Sequence, residues 1–322
     1  MSVLCITYKH EKYIAQAIES MLMQQTDFAV EMVIGEDCSP DATRQIAQDY
    51  ERRYPSRVRV LAHEHNLGIM PNLMTTIAAC RGEFIAFLEG DDYWNDPTKL
   101  QRQVDALRAS ADCAMCFHDA VIVSEDGIQD PSVAPGENTI CYSELFQGII
   151  PRPGPEVAPV RFSQLDLARL GWFMPSASML FRASSLPQPL PDWLTGVFSG
   201  DYTLQLLSTT HGAALYLPRQ MATYRQHAGG VMQTQLNTLT QNARRIWEIE
   251  HYRQAFGPEI RKHFEQKLEA YYFERSEKFS AAGDRGRQLY YYGKAIGVSP
   301  RRTLHHINRI FRRLIGRPIT ES

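Results

Sequence analysis

The chain has 322 residues, 44% of them hydrophobic, and a formal net charge of -2. That is apolar material for one large domain or one domain plus an appendage, and it excludes a disordered protein. The near-neutral charge gives no whole-chain attraction for nucleic acid, and no apolar run approaches the ~20 residues that cross a bilayer. Val3 to Thr7 reads as a strand, followed by a helix with Ile14, Ala17, Ile18, Met21 and Leu22 on one face. A second strand spans Val30 to Gly35. Ser39-Pro40-Asp41 starts a helix over 42–54 that Pro55 stops. Val58 to Ala62 is a third strand, Asn66-Leu67-Gly68 a turn, and Leu73, Met74, Ile77 and Ala78 the inner stripe of a third helix near whose start Pro71 is suited.

The fourth strand, Phe84 to Leu88, ends abruptly in Glu89-Gly90-Asp91-Asp92. Three alternations of strand and helix before it predict a mostly parallel sheet with right-handed crossovers. Parallel sheets place their ligand crevices at the carboxyl ends of strands, so these acids are delivered to a site. Adjacent carboxylates repel unless a cation neutralises them, and a hard divalent ion shared with a diphosphate does so. The competing reading is a helix cap or a solvated turn.

Further along, the pattern predicts a helix from Pro97 to Ser110, strands at 113–117 and 120–124, and a Pro- and Gly-rich stretch from Asp130 to Pro159 that is either mobile or a substrate loop. A helix follows over 163–170, a strand over 177–182, the run Gly200-Asp201 opening a helix to Thr209, and strands at 213–217 and 221–225. Beyond Gly229-Gly230 helices are expected at 236–256, 259–281, 287–296 and 301–315. Arg301, Arg302, Arg309, Arg312 and Arg313 make the last one basic and amphipathic, which suits either peripheral contact with an anionic membrane or ordinary packing on the tail. The six cysteines are scattered and read as reduced cytosolic thiols. Cys113 and Cys116 lack the second pair or turn that zinc or redox chemistry needs. The opening residues do not form a signal peptide. These features point to a cytoplasmic protein, or one peripheral on the cytoplasmic face of the inner membrane.

Ile6-Thr7-Tyr8-Lys9-His10, Val33 to Thr43 with Glu36-Asp37, Asn66-Leu67-Gly68, Arg81 to Asp92, Gly200-Asp201-Tyr202 and Tyr224-Arg225-Gln226-His227 together resemble the family 2 glycosyltransferases. The resemblance implies an α/β nucleotide-diphospho-sugar transferase fold of type GT-A over 1–230, with a nucleotide-binding half (1–110) and an acceptor half (111–230), and a helical extension over 231–322. It implies an inverting, metal-dependent hexosyltransferase. Such an enzyme moves one sugar from a UDP- or dTDP-type donor to a glycan or lipid-linked acceptor in bacterial surface polysaccharide assembly, as in lipopolysaccharide or capsule. Carried over by position, Asp201 is the catalytic base. Thr7, Tyr8, Glu36, Asp37, Asn66, Gly68, Glu89 and Arg225 contact the donor, Asp37 accepting from a base imide. Asp91, Asp92 and His227 hold Mn²⁺ or Mg²⁺. Glu89 stands where the family usually has Asp. Gln241-Asn242-Ala243-Arg244-Arg245 departs from the processive signature, which implies single-sugar transfer. The rival readings are a non-catalytic nucleotide-sugar-binding scaffold and a nucleotidyltransferase. The latter lacks its Gly-rich loop here, and no Gly-x-Gly-x-x-Gly supports a dehydrogenase.

Overall fold

Apolar runs without alternation need cover on both faces, and the first and fourth strands have it. All six residues of β1 (Ser2–Thr7) are buried, as are the first five of β4 (Phe84–Glu89). In the computed structural model, which describes residues 1–125, 139–230 and 239–298, β1 pairs in parallel with β2 (Glu31–Glu36) and with β4. β2 pairs in parallel with β3 (Val58–Ala62). Helices α1 (Ile14–Leu22), α2 (Thr43–Arg53) and α3 (Ile69–Ala79) connect them. The register sets Thr7 beside Glu36 and Ile6 beside Glu89, so the carboxyl ends of three neighbouring strands finish at one edge.

Beyond β4 the sheet is mixed. It takes in β5 (Tyr93–Trp94), β6 (Cys113–Ser124), β7 (Thr139–Cys141), β8 (Val160–Phe162), β9 (Leu180–Arg182) and β10 (Ala213–Gln226). The order is β3-β2-β1-β4-β9-β6-β10-β5, with β7 on β6 and β8 on β10. β9 runs antiparallel to both β4 and β6, whereas β6 and β10 are parallel. Helices α4 (Lys99–Arg108), α5 (Tyr142–Leu145), α6 (Gln164–Leu170) and α7 (Gly200–Ser208) complete this part.

Two pairs of expected strands are single long ones. The His118-Asp119 step that suggested a break lies inside β6, fully buried. His118 Nδ1 sits 2.8 Å from the Asp119 carbonyl, and the Asp119 carboxylate accepts from the Ser143 amide (3.0 Å) and hydroxyl (2.6 Å). β10 passes over Pro218 by shifting register between Leu217 and Gln220, the way a strand accommodates a missing N–H. The expected strand at 177 starts at Leu180, because Ser176–Ser178 turns as a 3-10 helix. β5, β7, β8 and α5 are too short to carry a period and fall where loop was expected. Of the stretch from Asp130 to Pro159, the described part from 139 onward holds β7 and α5; the rest lies outside the described residues.

The first residue of α4 is a buried lysine. Lys99 is fully buried, with its Nζ 2.7 Å from Gln103 Oε1 and 4.0 Å from the Trp94 ring centre. Burial pulls its ammonium down to about 7. Between about pH 7 and its ordinary 10.5, the unfolded chain therefore binds a proton that the folded chain does not, which lowers stability. Lys99→Met is expected to be more stable than wild type at pH 7, and the gap is expected to narrow as pH rises toward 10. Urea melts of both proteins across that range check it.

The chain divides into two compact units, Met1–Thr234 and Gln235–Ser322. In the second, α8 (Leu239–Ala255), α9 (Pro258–Ala281) and α10 (Arg285–Val298) are described. α9 packs on both others and buries Ile260, Phe264, Leu268, Tyr272, Phe273 and Phe279. Among the described residues no helix is long and apolar enough to cross a membrane. The basic helix expected over 301–315 lies outside the described residues.

Candidate active site

The edge where β1, β2 and β4 end gathers most of the expected residues. After β2, Asp37 is 2% exposed. Its Oδ1 accepts from the Leu67 amide at 2.7 Å and its Oδ2 from the Gly68 amide at 2.9 Å, while Asn66 Nδ2 donates to its carbonyl at 3.0 Å. Gly68 has φ 89, a conformation that suits glycine. Asp37, Asn66 and Gly68 are thus one unit, and each carboxylate oxygen keeps a further lone pair. Glu36 is fully buried and committed internally: its Oε2 pairs with Arg44 and its Oε1 accepts from the Ser39 amide at 2.7 Å. Tyr8 is 38% exposed in the loop after β1.

The acidic motif is divided by its surroundings. Asp91 Oδ2 lies 3.0 Å from His227 Nε2 and 3.5 Å from His10 Nε2. One ligand atom from each of the three falls within 4.8 Å of the others, a set that could hold a metal ion. Burial works to raise the Asp91 carboxyl, but His10 and His227 outweigh it and hold it below its ordinary value. His10 Nδ1 is in turn 3.2 Å from Thr7 Oγ1, the kind of outer contact that fixes a ligating imidazole. Asp92 lies outside this cluster. It is 1% exposed, its Oδ1 accepts from the Arg225 amide at 2.9 Å, and its Oδ2 is buried with no partner among the described residues. Burial and the neighbouring charges of Asp91 and Glu89 push Asp92 well above the usual carboxylate range. Glu89, which accepts from the Ser176 hydroxyl at 2.5 Å, is pushed up to about 8 by burial and by Asp91.

Arg225 ties the end of β10 to this loop. Its guanidinium donates to the Asp91 carbonyl and to Gln16 Oε1, and lies 4.6 Å from the Tyr13 ring centre and 5.2 Å from that of Tyr93. Asp201 opens α7 and accepts from Trp172 Nε1 at 2.7 Å. Burial outweighs the donors and raises Asp201 above its ordinary value, which makes it a stronger base.

His10, Trp172 and Ser176 were not singled out from the sequence. The signal for His10 was available, since it follows β1 by three residues and that strand ends at the edge. Trp172 and Ser176 lie in irregular chain whose path only the fold supplies. Gly90 fixes the spacing: a Cβ there would stand 2.5 Å from Thr7 Oγ1 and 2.9 Å from His10 Nδ1. Gly90→Ala is therefore expected to displace His10 and to weaken divalent-ion binding by about 10–100-fold, the usual effect of disturbing a supporting contact. Calorimetric titration with Mn²⁺ measures it.

Uncharacterized protein Rv1520 of Mycobacterium tuberculosis is 32% identical over 248 residues, 77% of this chain and 64% of its own length. The chain thus spans somewhat under two thirds of that relative. TuaG of Bacillus subtilis, named as a teichuronic acid biosynthesis glycosyltransferase, is 29% identical over 150 residues, 47% of this chain and 58% of its own. The structure of TarS 1-349 from S. aureus in complex with UDP-GlcNAc superposes with TM-score 0.61 at 18% identity, covering 94% of this chain and 82% of that one. The mannosyltransferase PcManGT from Pyrobaculum calidifontis, in complex with GDP-Man and Mn²⁺, superposes with TM-score 0.50 at 13% identity over 97% of this chain and 79% of its own. The fold is that of the GT-A transferases, an α/β unit with a mixed, mostly parallel sheet and C-terminal helices. The profile of Glycosyl transferase family 2 matches residues 2–162, half the chain and the span that carries Thr7, His10, Asp37, Glu89 and Asp91, so this protein belongs to that family.

Proposed function

We propose that the protein is an inverting, metal-dependent hexosyltransferase that moves one sugar from a UDP- or dTDP-type donor to a hydroxyl of a glycan or lipid-linked acceptor. The observation that carries this reading is the His10–Asp91–His227 cluster at the same strand edge as Asp37. Two imidazoles and a carboxylate fit a divalent ion such as Mn²⁺ better than Mg²⁺, which prefers oxygen alone. Bound there, the ion would supply positive charge to a diphosphate leaving group. Asp37 accepts a ring N–H of uracil or thymine through its remaining lone pairs, and Tyr8 and Thr7 border the nucleotide. Asp92 and Glu89, whose carboxyl groups burial and Asp91 push upward, stand beside the donor and contact it.

In the reaction, Asp201 takes the proton of an acceptor hydroxyl as that oxygen bonds to the anomeric carbon. The bond from that carbon to the diphosphate oxygen breaks, and the nucleoside diphosphate leaves with the electron pair. Attack from the opposite face inverts the centre. The name of TuaG supports a place in surface polysaccharide assembly, and six unpaired thiols suit a reducing cytoplasm.

Thermal shift with UDP, dTDP and GDP tests the reading. UDP or dTDP with Mn²⁺ is expected to raise Tm, since a ligand that binds only the folded state stabilises it, and EDTA is expected to remove the effect. Absence of any shift with all three nucleotides rejects the proposal.

A further inference from the structure

Trp172 has an environment that core packing does not explain. It follows Gly171, whose φ of 79 ends α6 and turns the chain, and 37% of it remains exposed. Two rings pack against it at steep angles, Tyr142 (centroids 5.7 Å apart, 63° between planes) and Phe146 (6.0 Å, 74°). Its indole N–H is committed to Asp201 Oδ2 at 2.7 Å. The Tyr202 hydroxyl, on the same helix as Asp201, donates to the Leu167 and Ala168 carbonyls at 3.3 and 3.4 Å, which fastens α7 to α6 and keeps tryptophan and carboxylate in step.

A large aromatic ring, held by two others, more than a third exposed and with a carboxylate at its edge, matches one chemistry closely. A pyranose ring presents apolar C–H groups on one face and hydroxyls around its rim. The face lies on the indole, and a rim hydroxyl reaches the carboxylate. A purely apolar chain would cover the ring but strip water from Asp201 without replacing its hydrogen bonds, which costs free energy. Because the ring is already held, stacking requires little further ordering.

We propose that Trp172 forms the acceptor subsite, orienting Asp201 through its N–H while its exposed face stacks on a pyranose ring of the acceptor. This rests on the reading of Asp201 as base. It adds a specificity-determining surface and a positioning role: Oδ2 is anchored by the indole, so the carboxylate keeps one orientation toward the incoming hydroxyl.

The test uses the full chain labelled with ¹⁵N. Its four tryptophans give four indole N–H resonances, and Trp172→Phe identifies the relevant one by its disappearance. The Trp172 resonance is expected to titrate with pH in wild type and to stay flat in Asp201→Asn. It is also expected to move on addition of methyl glycosides of glucose, galactose, mannose or N-acetylglucosamine, while the other three indoles stay in place. Indifference to all four glycosides overturns the subsite. So does a response to 1,2-hexanediol without one to the glycosides, which would assign the surface to a lipid. An identical titration in Asp201→Asn overturns the positioning role. The same samples receive UDP with Mn²⁺. Nucleotide binding beside silent glycosides rejects only the subsite, whereas silence to both rejects the transferase reading itself.

Discussion

Replacing Asp201 with Asn is expected to lower sugar transfer by about 10²–10⁴, the usual worth of a positioned general base, and to leave nucleotide binding unchanged. The amide keeps the size of the side chain and an acceptor oxygen for the Trp172 indole, but it takes no proton. The pH profile of wild type gives a second reading of the same group. Transfer needs the ionised carboxylate, and burial raises Asp201 above its ordinary value. Activity is therefore expected to fall as pH drops through that raised value, above the range where exposed aspartates titrate. Steady-state rates from pH 4 to 8, with nucleotide binding measured alongside, check both statements. Transfer that survives intact in Asp201→Asn would remove the base from the mechanism. Donor binding without turnover in wild type would favour a scaffold.

Asp91→Ala is expected to abolish the metal-dependent stabilisation by UDP. At a nucleotide concentration 100 times Kd that stabilisation is about 2.7 kcal/mol, so the lost shift is easily measured. Without metal the variant is also expected to melt below wild type. Asp91 raises its neighbours Glu89 and Asp92, but it is itself held below its ordinary value by His10 and His227, so the fold favours its ionised form and loses that contribution with it. Calorimetry with and without Mn²⁺ and UDP separates the two effects, and an apo variant that melts at or above wild type would show that the crowding outweighs the imidazole contacts.

The part of the fold legible in the sequence is the part made of uninterrupted apolar strands alternating with periodic helices. β1 to β4 and α1 to α3 are of that kind, and so are the acids at the strand ends, because strand direction alone decides where a terminal residue emerges. The long strands β6 and β10 were harder to read. Each carries a feature that resembles a turn, buried His118-Asp119 in one and Pro218 in the other, and only tertiary partners show that neither breaks the strand. At the site, the grouping of Asp91 with His227 joins residues 136 positions apart, and local pattern alone does not supply such a pairing. The resemblance did. It did not supply the inward commitment of Glu36 to Arg44, or His10 as a neighbour of Asp91, since both depend on side-chain direction within loops.

The antiparallel strand β9 has a consequence for how the chain comes into being. It seals the exposed edge of β4 and joins it to β6, yet it arrives about ninety residues after β4 has been made. Until then β4 presents an open, apolar edge, the feature that drives strands of different molecules together. The β1–β4 segment is thus not a self-sufficient module. Emerging from the ribosome, it would need protection until Leu180–Arg182 is available, and an evolutionary exchange of domains at this boundary would have to carry β9 with it.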